Sequence, residues 1–146
     1  MGIDTLQYIC YRNPNYGNSN YNKVKFWFRF IYKYRSAVER GNLEYLKEMI
    51  KRDYATYSGK ILENYFIEKL MATKQYNTIG TYWERNNQNE IDIVAINDLE
   101  KKVLFAEVKR NPDKLNLNNL IEKSQNLVPH FKEYQIEYQG FSLQNM

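Results

Sequence analysis

Within NEIDIVAINDLEKKVLFAEVKRN, residues 89–111, Glu90 and Asp92 open one apolar run, and Glu107 and Lys109 close the next. Burying such charges is costly unless each is paired or bound to something. Side chains alternate along a strand, so Glu107 and Lys109 share a face with Val103 and Phe105, while Glu90 and Asp92 share one with Val94 and Ile96. With Asp98 to Lys101 as the loop, Ile96 opposes Val103, Val94 opposes Phe105, Asp92 opposes Glu107 and Glu90 opposes Lys109. A slip of one residue would send the charges to opposite faces. Two directly opposed carboxylates repel, which calls for a cation between Asp92 and Glu107. Mg²⁺ (or Mn²⁺) suits such a pair, because it binds through one or two carboxylates and keeps waters that a phosphate can replace. Lys109 would then orient the attacking water and stabilise charge on the phosphate. Glu90 has two readings, a further ligand or a salt-bridge partner of Lys109.

These residues need elements to position them. Residues 12–23, dense in Asn, Tyr, Gly and Pro, read as a loop or arm. Residues 24–34 (VKFWFRFIYKY) read as a helix, because Lys25, Arg29 and Lys33 recur every four residues. Leu43, Leu46, Ile50 and Tyr54 predict a second helix over 43–55, and Ile61, Leu62, Tyr65, Phe66 and Leu70 a third over 58–74. Glu63 falls at the edge of that apolar arc, half-buried and aimed at the site from above. TIGTYWER then predicts a strand ending at the turn NNQN, followed by strands over 90–97 and 102–109. Leu117, Leu120, Ile121, Ser124 and Leu127 predict a helix closed by Pro129, from which Gln125 could reach the site or simply face water. The tail YQIEYQGFSLQ alternates as a last strand, bent at Gly140.

In the hairpin strands, Ile91, Ile93 and Ala95 are expected on one side and Val94 and Ile96 on the other, apolar on both. Such strands belong to a sheet covered by helices on both faces. The fold class is therefore α/β, with a core of helix, three strands, helix and strand preceded by N-terminal helices. At 146 residues the chain is expected to be one globular unit, an arm and basic aromatic helices over 1–57 packed on a core over 58–146.

Residues 1–60 hold 11 Lys/Arg against 5 Asp/Glu, whereas residues 61–146 hold 10 against 12. The basic half suits a polyanion such as DNA and the acidic half a divalent cation. Lys25, Arg29, Lys33, Arg85 and Arg110 are the candidate phosphate contacts, and Tyr82 and Trp83 beside Arg85 could stack on bases. The single cysteine, Cys10, and a polar start without a signal-peptide centre point to a reducing cytoplasmic setting. No apolar run approaches the length of a membrane span.

Glu63, then Asp92, then Glu107-Val108-Lys109 at the end of an apolar strand resemble the PD-(D/E)xK nucleases, whose core has the same order of elements. More narrowly, KFWFRFIYKYRSAVERGN, YSGKILENYF, IGTYWERNNQNEIDIVAIN and LFAEVKRN look like the C-terminal nuclease-like domain of archaeal-type DEXX-box ATPases, over residues 24–143. The resemblance implies a restriction-endonuclease-like fold and hydrolysis of DNA phosphodiesters. Asp92 and Glu107 would be metal ligands, Lys109 the catalytic lysine and Glu63 an accessory acid. Two features depart from the pattern. Ile91 stands where the namesake Pro would be, and there is no G-x-x-x-x-G-K loop, so no ATPase activity is expected of this chain alone. The alternative is a catalytically silent DNA-binding or regulatory module that partners an AAA-type ATPase.

Overall fold

The computed structural model of the chain describes residues 9–11, 19–84 and 89–146. Its centre is a meander of β2 (Thr78–Trp83), β3 (Glu90–Asn97) and β4 (Lys102–Val108), each antiparallel to the next. Register follows from the period of two. Val94 lies opposite Phe105 and Ile96 opposite Val103, so the four-residue loop is as the apolar pattern demands. Lys101 turns that loop with a φ of 53°. β5 (Gln135–Phe141) lies parallel to β4, and β1 (Ile9–Tyr11) pairs antiparallel with the other edge, giving the order β1-β2-β3-β4-β5. A parallel neighbour needs a crossover, which is supplied by α4 (Leu117–Ser124) and the 3₁₀ turn Val128–Phe131.

Both faces are covered, as expected of an α/β fold. On one, Leu120, Leu127 and Phe131 pack on Val94, Ile96, Val103 and Phe105. On the other, Leu62, Phe66 and Ile67 of α3 (Leu43–Thr73) pack on Ile93, Ala95, Leu104 and Ala106. No helix among the described residues is long and apolar enough to cross a membrane.

Three expectations are corrected. The helices read over 43–55 and 58–74 are one helix of 31 residues. Ser58 and Gly59 looked like a break, yet Ser58 Oγ donates to Tyr54 O at 2.7 Å and Gly59 stays helical with open space beside it. Secondly, α1 (Ser19–Phe26) starts inside the stretch read as loop and runs into a widened helical turn, Trp27–Tyr32, followed by the short α2 (Arg35–Glu39). Arg85 and all of the NNQN turn but Asn89 lie outside the described residues.

The third correction concerns β3. Gly80 pairs with Val94 but Tyr82 with Ile91, so β3 uses one residue more than β2 over this stretch, a β-bulge. Ile91 accordingly packs with Val94 and Ile96 on the α4 side, not with Ile93 and Ala95. Asp92, between them, falls in phase with Ile93 on the α3 side.

β5 runs on through Gly140, whose missing side chain serves a close approach. A Cβ there would come within 2.9 Å of Leu115 Cδ1. The two glycines therefore predict opposite outcomes in thermal melts. Gly59→Ala should stabilise by roughly 0.5–1 kcal/mol, since helical Gly carries only an entropic cost. Gly140→Ala should destabilise by about 1 kcal/mol or more through overpacking on Leu115.

Candidate functional site

The site lies where β3 and β4 part. Ile93 opposite Ala106 is the last pair of their ladder at this end. Beyond it a side chain links the strands, with Val108 N–H donating to Asp92 Oδ2 at 2.8 Å. Glu107, only 4% exposed, is in phase with Phe105 and turns toward α4. There its Oε1 is 3.5 Å from Lys123 Nζ, and its Oε2 accepts from Asn116 N–H at 3.4 Å. Lys109 follows the end of β4, and its ammonium spans both acids, 3.2 Å from Glu107 Oε1 and 3.8 Å from Asp92 Oδ2.

Asp92 and Glu107 were expected on one common face. Their phases differ because of the bulge, and they converge on Lys109 only because the ladder has stopped. Glu90 is corrected as well. It is exposed and pairs across with Trp83 of β2, not with Lys109. Glu63 is half-buried on α3, as its helical arc predicted, and is held by Lys60 at 2.6 Å. A cleft of about 570 Å³ has Gly59, Lys60, Glu63, Lys109, Arg110 and Lys114 on its walls. Gln125 is exposed at the end of α4. Lys123, from the same helix, is the residue that reaches the acids.

Burial pushes the Asp92 carboxyl above the ordinary carboxylate range. Glu63 and Glu107 push the same way, while the Val108 N–H and Lys109 oppose them. A divalent cation would offset the repulsion that Glu63 and Glu107 add at Asp92. Asp92 and Glu107, with Glu63 close enough to be felt, fit an ion that takes few protein ligands. Among the described residues no group of three or more His, Cys, Asp or Glu side chains is placed to hold a metal ion. An ion here would rest on the two carboxylates, with water completing its shell.

Of the candidate phosphate contacts, Lys25 and Arg29 line a groove to which α3 lends Lys60 and Glu63. Lys33 lies over the Tyr34 ring at 5.3 Å, and Arg110 over the Tyr54 ring at 5.5 Å. Tyr82 is buried, with its hydroxyl donating to Glu84 at 3.0 Å, whereas Trp83 is exposed.

Residues 27–124 match the DUF234 family, described as "Archaea bacterial proteins of unknown function". The chain belongs to this family. The DUF234 match spans Glu63, Asp92, Glu107, Lys109 and Lys123, so all the converging charges fall inside it. One relative is the "Uncharacterized protein MJECL04" of Methanocaldococcus jannaschii, 39% identical over 95 residues, 60% of this chain and 21% of that protein. The chain thus spans about a fifth of the length of the curated relative it matches. No solved structure matches it significantly.

Because the Asp92 pKa is raised on folding, its contribution to stability is present at low pH and is lost as pH rises through the folded-state value. Asp92→Asn, whose amide oxygen can still accept from Val108, should therefore melt a few degrees above wild type at pH 7.5 in EDTA. That gain should shrink toward zero near pH 4. A pH-independent difference in melting temperature would contradict this account of the site.

Proposed function

We propose that this DUF234 chain is a metal-dependent phosphodiester hydrolase of PD-(D/E)xK type acting on DNA. The observation that carries the reading is the reach of Lys109 to Asp92 and Glu107 together, at an opening of the sheet walled by Glu63. Asp92 and Glu107 would hold Mg²⁺ or Mn²⁺, which when bound supplies charge neutralisation at the phosphate and an acidified water. Lys109 donates to the attacking water or to a non-bridging phosphate oxygen. The Val108 N–H fixes one oxygen of Asp92, and the carboxylate's other oxygen would be the one to meet the ion. Lys60 holds Glu63 as an accessory acid beside the same cleft. Lys25, Arg29 and Arg110 line the approaches and would take flanking phosphates.

One observation favours a second reading. Lys109 and Lys123 already supply counter-charge to Glu107, so the site is balanced without a cation. That suits a silent DNA-binding or regulatory module working with an ATPase. The relative's much greater length leaves room for such a partner in the same polypeptide.

The two readings part in one experiment. Plasmid DNA is incubated with the purified chain and Mg²⁺ or Mn²⁺, and ion binding is followed by calorimetry. For the hydrolase, wild type nicks or linearises plasmid and Asp92→Asn loses both ion binding and cleavage. Lys109→Ala keeps the ion and loses turnover by about 100-fold or more. For the silent module, plasmid stays intact with wild type at every ion concentration, and that result would sink the hydrolase reading.

A further inference from the structure

The N-terminal helices carry a feature that the chemistry at Asp92 does not use. Lys33 N–H reaches back five residues to Phe28 O at 3.2 Å, closing the widened turn Trp27–Tyr32. Such turns are rare and are often found at functional sites. Phe30 of this turn is fully buried and packs on Phe26 and Tyr57, which mounts the segment firmly on α3. Its other rings face out. Trp27, Phe28 and Tyr32 are 47%, 54% and 45% exposed, and lie on one another with centroids 5.0 to 5.4 Å apart. Arg35 stacks over Tyr32 at 5.1 Å and bonds its hydroxyl at 3.0 Å.

Phe28 also lines a groove of about 850 Å³ with Lys25 and Arg29, and α3 lends that groove Thr56, Lys60 and Glu63. Those three residues also wall the cleft that holds Lys109, Arg110 and Lys114. Ring cluster, groove and cleft therefore follow one another as a track, Phe28 belonging to both cluster and groove, and Thr56, Lys60 and Glu63 to both groove and cleft. Across groove and cleft six cations face a single wall carboxylate, Glu63, which is the complement of a polyanion.

We propose that this track binds single-stranded nucleic acid, with unpaired bases stacked on Trp27, Phe28 and Tyr32 and the backbone led along Lys25, Arg29 and Lys60 toward the carboxylates. Duplex bases are already paired and stacked, so half-exposed rings gain face contact only with an open strand. The groove's volume of about 850 Å³ is of the size that takes a small ligand such as a nucleotide or two. A protein partner is less well matched. Cores of protein interfaces are depleted in charge, and here Tyr32 has Arg35 over its ring and Phe28 shares its groove with Lys25 and Arg29. The inference deepens the hydrolase reading by naming its substrate form, but the binding it describes needs no metal.

Full-length chain is titrated in EDTA with a fluorescent 20-nucleotide single strand and with the matching duplex, at several salt concentrations, and anisotropy is read. The single strand should bind at least about tenfold tighter than the duplex at equal salt. Trp27→Ala and Phe28→Ala should each weaken single-strand binding by about 5- to 100-fold, with duplex binding and melting temperature little changed. Phe28→Leu, which keeps apolar bulk and loses the ring face, should show the same loss. Lys25→Ala with Arg29→Ala should instead lower the salt slope by roughly 1.4. Equal affinity for the two forms, or single-strand binding untouched by both ring substitutions, overturns the proposal, and the second result returns the rings to a protein partner. With Mn²⁺ added, single-strand preference without cleavage removes the hydrolase reading and keeps this one. Cleavage without strand preference does the reverse.

Discussion

The hydrogen bond from Val108 N–H to Asp92 Oδ2 ties the molecule's architecture to its chemistry. A carboxylate buried at the end of a strand is costly, and here a backbone donor offsets part of the penalty. The bond requires Asp92 to lie beside β4 after the ladder has ended, and that requires the extra residue in β3. Without the bulge Asp92 would point into the cluster packed by α4, among Leu120, Leu127 and Phe131. The bulge turns it toward α3, where Glu63 is, while leaving Ile91 to fill the α4 side. One inserted residue thus separates an apolar core from a charged opening.

Charge balance at that opening comes from three separate segments. Lys60 comes from α3, Lys109 from the end of β4, and Lys123 from the crossover helix. The crossover is obligatory for a parallel β4–β5 pair, so the topology that seats β5 also delivers Lys123 to Glu107. Close packing makes this delivery possible. Gly140 lies opposite Glu107 in the β4–β5 register, and the space its side chain would fill is taken by Leu115, one residue before the Asn116 N–H that approaches Glu107. On the proposed hydrolase reading, cation and lysines compete for the same acids, and binding an ion would release Lys109 toward the phosphate.

Much of this was legible in the sequence, for identifiable reasons. The β3–β4 register follows from two apolar runs and the four-residue loop between them. Glu63 could be placed because a 100° step per residue puts it at the edge of α3's apolar arc. The bulge could not be read. Neither Gly nor Pro marks Ile91, Asp92 or Ile93, and strict alternation is the only pattern their residue types suggest. Lys123 was hidden by its place on the polar side of an amphipathic helix, where solvent exposure is the default. The continuity of α3 through Ser58 and Gly59 was masked because propensity opposes it, and packing on the sheet by the residues that follow outweighs roughly 1 kcal/mol of glycine cost. β1 is three residues long and carries no periodic signal.

That continuity has a mechanical consequence. Tyr57 anchors Phe30 and Phe26 of the N-terminal segment, and two turns later Glu63 stands beside the acids. If α3 broke at Ser58 the two would sit on separate elements joined by a hinge. As one helix they are fixed at a set distance, because helix geometry holds neighbouring turns about 5.4 Å apart. Thr56, Lys60 and Glu63 therefore line both the basic groove and the cleft that holds Lys109, which sets the two in fixed relation. The DUF234 match, from Trp27 to Ser124, takes in the widened turn, the continuous helix, the bulged hairpin and Lys123 together. The matched span therefore holds this frame with its charges, whereas β1 and β5 complete the sheet from outside it.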